Sequence, residues 1–226
     1  MTDRLTLSQS HLYTFRACPR RFYLRYLARV PWPEAPLGRA QELAYERGRR
    51  FHRRLERHFL GLPAADDDEA DPELRVWWDT FRRHAPPLPE GRRFVEAGLT
   101  APIGNHFLTG RFDLLIVGDG ADGQPAAHLF DWKTGDPRPL DRLRAAWQTR
   151  VYLAVLAEAG REIGDLHHAA VAVVETGDQD GGVFQVRLFG ALEVDEFHAP
   201  EARVAGLAFA TQQGAEHRVA VEAGEA

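Results

Sequence analysis

Residues 110–135 read GRFDLLIVGDGADGQPAAHLFDWKTG. Two apolar runs, 112–117 and 126–130, flank a Gly- and Asp-rich segment ending in Pro125. That pattern predicts two long strands joined by a turn. Asp113 lies five residues before the turn begins at Gly118, and Asp131 lies six residues after it ends at Pro125. In an antiparallel pair these positions come close to facing each other. Side chains alternate along a strand, so Asp131 and Lys133 share a face. Two carboxylates and an ammonium therefore converge on one face of a sheet. Carboxylates about 4–5 Å apart repel unless a cation sits between them. Phe112, Leu114, Ile116, Leu129 and Phe130 make the hairpin largely buried, and buried charges are seldom tolerated without a partner. A divalent metal held by Asp113 and Asp131, with positions open to water and phosphate, accounts for the arrangement.

Lys133 is the sole lysine against 27 arginines. Arg and Lys differ most where a compact ammonium must fit beside a reacting group, because guanidinium is a wide planar fork. The literal G-x-G-x-x-G at Gly118, Gly120 and Gly123 is not a dinucleotide site. That fingerprint needs a helix next, whose N-terminus receives the pyrophosphate. Here Pro125 and a second strand follow, and Asp119 and Asp122 would repel phosphate.

The 226-residue length fits one domain. A single cysteine, Cys18, rules out an internal disulfide or an all-cysteine metal site in one chain. No apolar run reaches membrane-spanning length, and no apolar signal core opens the chain, so no membrane role and a cytoplasmic location are expected. The net charge of −5 hides an asymmetry. Residues 1–60 carry 13 Arg against five acids, and the remainder carries 15 basic against 28 acidic residues. A basic N-terminal third suits a polyanion such as nucleic acid, or a solvated Arg-rich face.

Around the hairpin the chain reads as helices and strands. Residues 6–28 form two short helices, with Ser8 as an N-cap and Pro19 in a first turn. Arg20, Arg21, Arg25 and Arg29 alternate there with Phe22, Tyr23, Tyr26 and Leu27, a pattern that suits phosphates and stacked bases or an aromatic core edged by arginine. A long helix is expected over 39–60, with Leu43, Phe51, Leu55 and Leu62 on its apolar side. Within it Gly48 and His52 share one side. Glycine inside a helix costs about 1 kcal/mol relative to alanine, which suggests a close neighbour there. An acidic loop (63–72) and a further helix (73–84) follow. Strands are expected at 94–101, with Glu96 inside, and at 106–117 and 126–133. A helix from an Asp141 cap to Gly160 carries Gln148 and Tyr152 one turn apart. Strands at 168–175 and 183–189 and a helix over 193–212 end the pattern.

These pieces together resemble the PD-(D/E)XK nuclease superfamily, in the branch of RecB-type exonuclease domains and CRISPR-associated exonucleases. The matching motifs, in order, are S-x-S-x-L-x-x-x-x-x-C-P-R-R-F-Y from Ser8 to Tyr23, G-x-x-x-H at Gly48 and His52, and G-R-F-D from Gly110. D-W-K-T-G from Asp131 and Q-x-x-x-Y at Gln148 and Tyr152 complete the series. The resemblance implies an α/β restriction-endonuclease-like fold, an αβββαβ core with a mixed central sheet and an N-terminal helical extension. One domain would span 1–226: a basic helical part (1–62), a catalytic sheet and helix (94–190), and a C-terminal helix and tail (191–226).

It further implies a metal-dependent DNA nuclease acting in repair or recombination on single-stranded or duplex ends. The metal ligands would be His52, Asp113, Asp131 and the Trp132 carbonyl. Lys133 would orient the attacking water, and Glu96 would add a second carboxylate. Gln148, Tyr152, Arg20, Arg21 and Arg111 would meet DNA. An imidazole ligand makes Mn²⁺ at least as suitable as Mg²⁺. Relatives with an iron–sulfur cluster use three further cysteines that this chain lacks, so no cluster is expected and Cys18 becomes a small buried packing residue. A helicase or another repair or CRISPR protein is the expected partner. A catalytically idle DNA-binding subunit of such an assembly is the alternative, and a nucleotide-binding enzyme a more distant one.

Overall fold

A computed structural model describes residues 4–31, 35–64, 71–120, 122–134, 139–164, 168–176 and 184–193. The helix expected over 193–212, the tail and Gly135 lie outside these residues. The chain opens with a two-residue strand β1 (Thr6–Leu7), then helices α1 (Gln9–Ala17) and α2 (Pro19–Phe22) and a π-helical segment (Tyr23–Leu27). Helices α3 (Arg39–Phe59) and α4 (Pro72–His84) follow. Strands β2 (Arg92–Ile103), β3 (His106–Asp119) and β4 (Pro125–Thr134) form an antiparallel meander. Helices α5 (Leu140–Ala145) and α6 (Trp147–Gly164) lead to β5 (His168–Thr176) and β6 (Phe184–Glu193).

The six strands make one mixed sheet, in the order β1-β3-β4-β5-β6, with β2 also on β3. Strand β2 runs along one edge of β3, from Arg92↔Val117 to Ile103↔His106. The opposite edge is shared. Parallel β1 takes Phe107 and Leu108, and β4 takes Leu114 to Asp119. Strand β5 then joins β4 in parallel, as α5 and α6 cross over between them.

The sheet is covered on both faces. Val151, Leu153, Val155 and Leu156 of α6 pack with Leu108, Phe112, Leu115 and Leu129 on one side. Phe51 and Leu55 of α3, with Leu74 and Phe81 of α4, pack with Leu114, Ile116, Phe130 and Trp132 on the other. Trp132 is fully buried there, stacked at 5.9 Å on Phe130. The alternation Asp131-Trp132-Lys133 thus places an aromatic anchor on one face and two charges on the other.

Four local expectations change. Leu43 and Leu62 are each 49% exposed: the buried side of α3 begins only at Gly48, and Leu62 lies past the end of the helix at Phe59. The helix expected over 141–160 breaks at Ala146, whose backbone is extended, and its first piece is capped by Pro139 rather than Asp141. The Thr149 hydroxyl donates to the Leu143 carbonyl at 2.8 Å, beside the bond that carbonyl takes from the Ala146 N–H at 3.1 Å, and so ties α6 to α5 across the break. Helix α6 also runs past Gly160 to Gly164. Cys18 is half-buried rather than buried: it caps α2, its Sγ accepting from the Arg21 N–H at 3.4 Å. At the start of α1, the Ser8 N–H donates to His11 Nδ1 at 3.1 Å.

Among the described residues of the acidic loop, Asp71 is structural. Asp71 caps α4, accepting from the N–H groups of Glu73 (3.0 Å) and Leu74 (3.2 Å), and it pairs with Arg47 of α3 at 2.9 Å. Burial acts to raise the pKa of Asp71. The Arg47 hydrogen bond and the two amides outweigh it and hold the carboxyl below its usual range. Asp71→Ala should cost about 1 kcal/mol of stability at neutral pH. A carboxylate with a depressed folded pKa stabilises above its unfolded value and loses that contribution as pH falls through the folded value. The gap in unfolding free energy between the wild type and Asp71→Ala, followed by urea denaturation, should therefore shrink as pH drops below the ordinary aspartate range.

Candidate metal and catalytic centre

The site lies where β3 and β4 part. Their ladder ends at Leu114↔Phe130, one pair short of Asp113 and Asp131. The side-chain alternation of β3 also slips here. Phe112 and Leu115 face α6, while Leu114 and Ile116 face α3 and α4. Strand β2 slips in step: Val95 packs with Leu114, and Ala97 with Phe112. Glu96, which falls opposite Asp113, has φ +50°, a left-handed conformation that costs a non-glycine residue about 1 kcal/mol or more. The doubled slip turns Asp113 off the face expected from plain alternation, into the opening between the strands.

Parting strands leave backbone groups without ladder partners, and side chains of the site take them up. Asp113 Oδ2 accepts from the Trp132 N–H at 2.7 Å. The Tyr152 hydroxyl donates to the Arg111 carbonyl at 2.8 Å. In a strand the N–H and C=O of one residue face the same neighbour, so the Trp132 carbonyl opens into the same gap.

Helix α3 brings His52 to this opening. Its Nδ1 lies 2.9 Å from Asp113 Oδ1. A Cβ on Gly48 would come 3.0 Å from Thr134 Oγ1, so the glycine lets α3 rest against the end of β4. His52, Glu96 and Asp113 each offer a ligand atom, all within 4.8 Å of one another. Asp131 is not in that compact trio. It sits on the α6 side of the gap, where Lys133 Nζ lies 2.5 Å from its Oδ2 and Tyr152 Oη lies 3.2 Å from its Oδ1. Gln148 Nε2 stands 3.4 Å from the same oxygen.

The charges are held under tension. Burial raises the pKa of Asp131; Lys133 opposes this and Asp113 adds to it. Burial and Asp113 raise Glu96, against the Arg111 guanidinium. At His52 burial acts to lower the pKa, but the hydrogen bond and charge of Asp113 prevail and raise it. Each ligand candidate with a shifted pKa is thus biased toward holding a proton, Asp131 and Glu96 chiefly through burial and His52 through Asp113. Asp131 Oδ2 is also buried with no well-formed hydrogen bond among the described residues, despite the nearby ammonium. A buried carboxylate held against an ammonium, two further carboxylates and an imidazole fit a hard divalent cation such as Mg²⁺ or Mn²⁺.

Other candidates lie farther out. Arg111 is 73% exposed, and its Nε donates to Glu96 Oε2 at 2.8 Å. Arg20 and Arg21 are exposed on α2. Tyr152 is only 5% exposed and lies behind the site, edge-on to Phe112 at 4.8 Å. The reading of the sequence missed the Arg111–Glu96 pair and the slip that brings Glu96 beside His52. Nothing in the letters signals a positive φ at a glutamate.

The chain matches the family model described as the PD-(D/E)XK nuclease superfamily over residues 6–222. The protein belongs to that superfamily. No curated protein matches it. Among solved structures it is similar to a protein from Eubacterium rectale, provisionally described as an exonuclease. That likeness has 12% identity and a TM-score of 0.52, and covers 91% of this chain and 77% of the other. It is a likeness of fold. A second structure, SSO0001, shares 12% identity over 93% of this chain and 76% of its own, with a TM-score of 0.36, a level that supports no argument. The mixed sheet with its flanking helices is the restriction-endonuclease-like α/β fold of this PD-(D/E)XK protein. No described helix is long and apolar enough to cross a membrane.

The raised pKa of His52 has a definite consequence. A histidine whose folded pKa exceeds its unfolded value stabilises the fold below about pH 6.5 and loses that contribution as pH rises through the folded value. In EDTA, the excess melting temperature of the wild type over His52→Gln should be largest at acid pH and fade as pH rises past that point. With Mn²⁺ present it should return at high pH, where the neutral imidazole is a ligand. Differential scanning calorimetry across pH 5–9 checks both halves.

Proposed function

We propose that this PD-(D/E)XK protein is a divalent-metal-dependent deoxyribonuclease, an exonuclease acting at DNA ends in repair or recombination. The observation that carries the proposal is the meeting of His52, Glu96 and Asp113 beside the Asp131–Lys133 pair at the open end of a strand ladder. His52, Asp113, Asp131 and the Trp132 carbonyl would hold the metal, with Glu96 as a further carboxylate. The ion supplies a water of lowered pKa and offsets charge on the phosphoryl oxygens.

This chain's own residues do the rest. Lys133 hydrogen-bonds the attacking water and stands beside the charge that grows on phosphorus as water adds and the P–O bond breaks. Its partner Asp131 fixes that ammonium at the face of the sheet. The attacking water gives up a proton to solvent, and the leaving oxygen, on the opposite side of phosphorus, takes one from solvent. Exposed Arg20, Arg21 and Arg111 meet phosphates, and half-buried Gln148 borders the site. The exonuclease reading is supported by the motif series and by the description of the Eubacterium rectale neighbour. Magnesium or manganese serves the site, no iron–sulfur cluster is used, and a helicase or another repair protein presents the DNA.

Purified protein should degrade end-labelled DNA with Mn²⁺ or Mg²⁺ and not with EDTA. Asp113→Asn and Lys133→Ala should each lower kcat by about 10²–10³-fold. Lys133→Arg should fall nearly as far with its melting temperature kept, because a planar fork cannot replace a compact ammonium. A wild type inert with both metals would leave a binding role without cleavage, and activity that survives Lys133→Ala would sink the mechanism.

A further inference from the structure

The motif reading gives Tyr152 to DNA, yet the structure encloses it. Its ring is buried edge-on to Phe112, in space that Gly110 leaves free. A Cβ at Gly110 would come 3.2 Å from Tyr152 Cδ1 and 2.9 Å from Phe112 Cε1. Its hydroxyl has three neighbours. Gln148 Nε2 donates to it at 2.7 Å, the Arg111 carbonyl accepts at 2.8 Å, and Asp131 Oδ1 lies at 3.2 Å. Those acceptors belong to the two strands that part at the site, Arg111 to β3 and Asp131 to β4. A phenol has one proton for two acceptors. Gln148 occupies a lone pair of the oxygen, so that proton points toward the strands and not toward solvent.

We infer that Tyr152 is a positioning residue that props the β3–β4 opening and aims Asp131 into the site, rather than a contact to DNA. The hydroxyl shares the Asp131 carboxylate with Lys133, meeting Oδ1 while the ammonium meets Oδ2. Once a cation takes Asp131, the same proton can satisfy the Arg111 carbonyl with no rotation of the ring. The side chain thus offers Asp131 a partner that can be released without orphaning the hydroxyl. This rests on the proposed metal site, and it assigns Tyr152 an effect on metal affinity in the absence of DNA.

Tyr152→Phe keeps the ring and removes only the hydroxyl. Partners that orient metal ligands typically change metal affinity about 10–100-fold. The expected result is Mn²⁺ affinity weakened at least tenfold, read by titration calorimetry without DNA. The DNA KM at saturating Mn²⁺ should stay within twofold of wild type while kcat falls. Gln148→Ala should weaken Mn²⁺ binding in the same direction by a smaller factor, and a Mn²⁺ affinity equal to wild type in that variant overturns the inference if Tyr152→Phe does not fold. Unchanged Mn²⁺ affinity in the folded variant, or a raised KM with kcat kept, overturns the inference and leaves the nuclease reading standing. A wild type that binds no Mn²⁺ overturns both.

Discussion

The ladder between β3 and β4 stops at Leu114↔Phe130, and much of the site follows from that stop. Continued pairing would satisfy the Trp132 N–H with backbone, and the slip at Asp113 leaves the Arg111 carbonyl to a side chain. Because the pairing ends, those groups must be met otherwise, since an unpaired buried backbone group costs about as much as a lost hydrogen bond. Asp113 and Tyr152 meet them. The same atoms that complete the fold thereby place a carboxylate and a phenol where the strands open. Neither could be removed without disturbing both roles.

The opening is stabilised from two sides. Helix α3 lies on one face and delivers His52, and α6 lies on the other and delivers Gln148 and Tyr152. Trp132 is buried among Phe59, Phe81 and Phe130, which fixes the strand between the two charged residues it separates. That anchorage offsets a real cost. Removing Asp131 from water is worth several kcal/mol of penalty in the absence of a good counter-charge. Lys133 meets one of its oxygens and Tyr152 the other, and a packed aromatic layer holds the strand that carries it in place.

Much of this was legible in the letters. The hairpin register, the shared face of Asp131 and Lys133 and the shared side of Gly48 and His52 follow from period-two and period-3.6 spacing. So does the rejection of the glycine fingerprint, since β4 follows directly at Pro125. The slip at Glu96 and Asp113 does not follow, because alternation assumes regular backbone and a left-handed glutamate breaks that assumption. The burial of Tyr152 was hidden for a related reason: spacing places it beside Gln148 on α6 but cannot say how deeply that side sinks toward β3. The cap at Asp71 was concealed in a run of acids, where one structural carboxylate looks like its neighbours.

The pair His52–Asp113 joins positions 61 residues apart. The β3–β4 hairpin can close early, because its contacts are local, and it carries Asp113, Asp131 and Lys133 by itself. It lacks the imidazole until α3 has docked on the finished sheet. Long-range closures of this kind come late, as chain entropy opposes them until other contacts reward them. A partly folded chain therefore holds the carboxylates without the histidine. Completing the fold and bringing His52 to Glu96 and Asp113 are thus a single event.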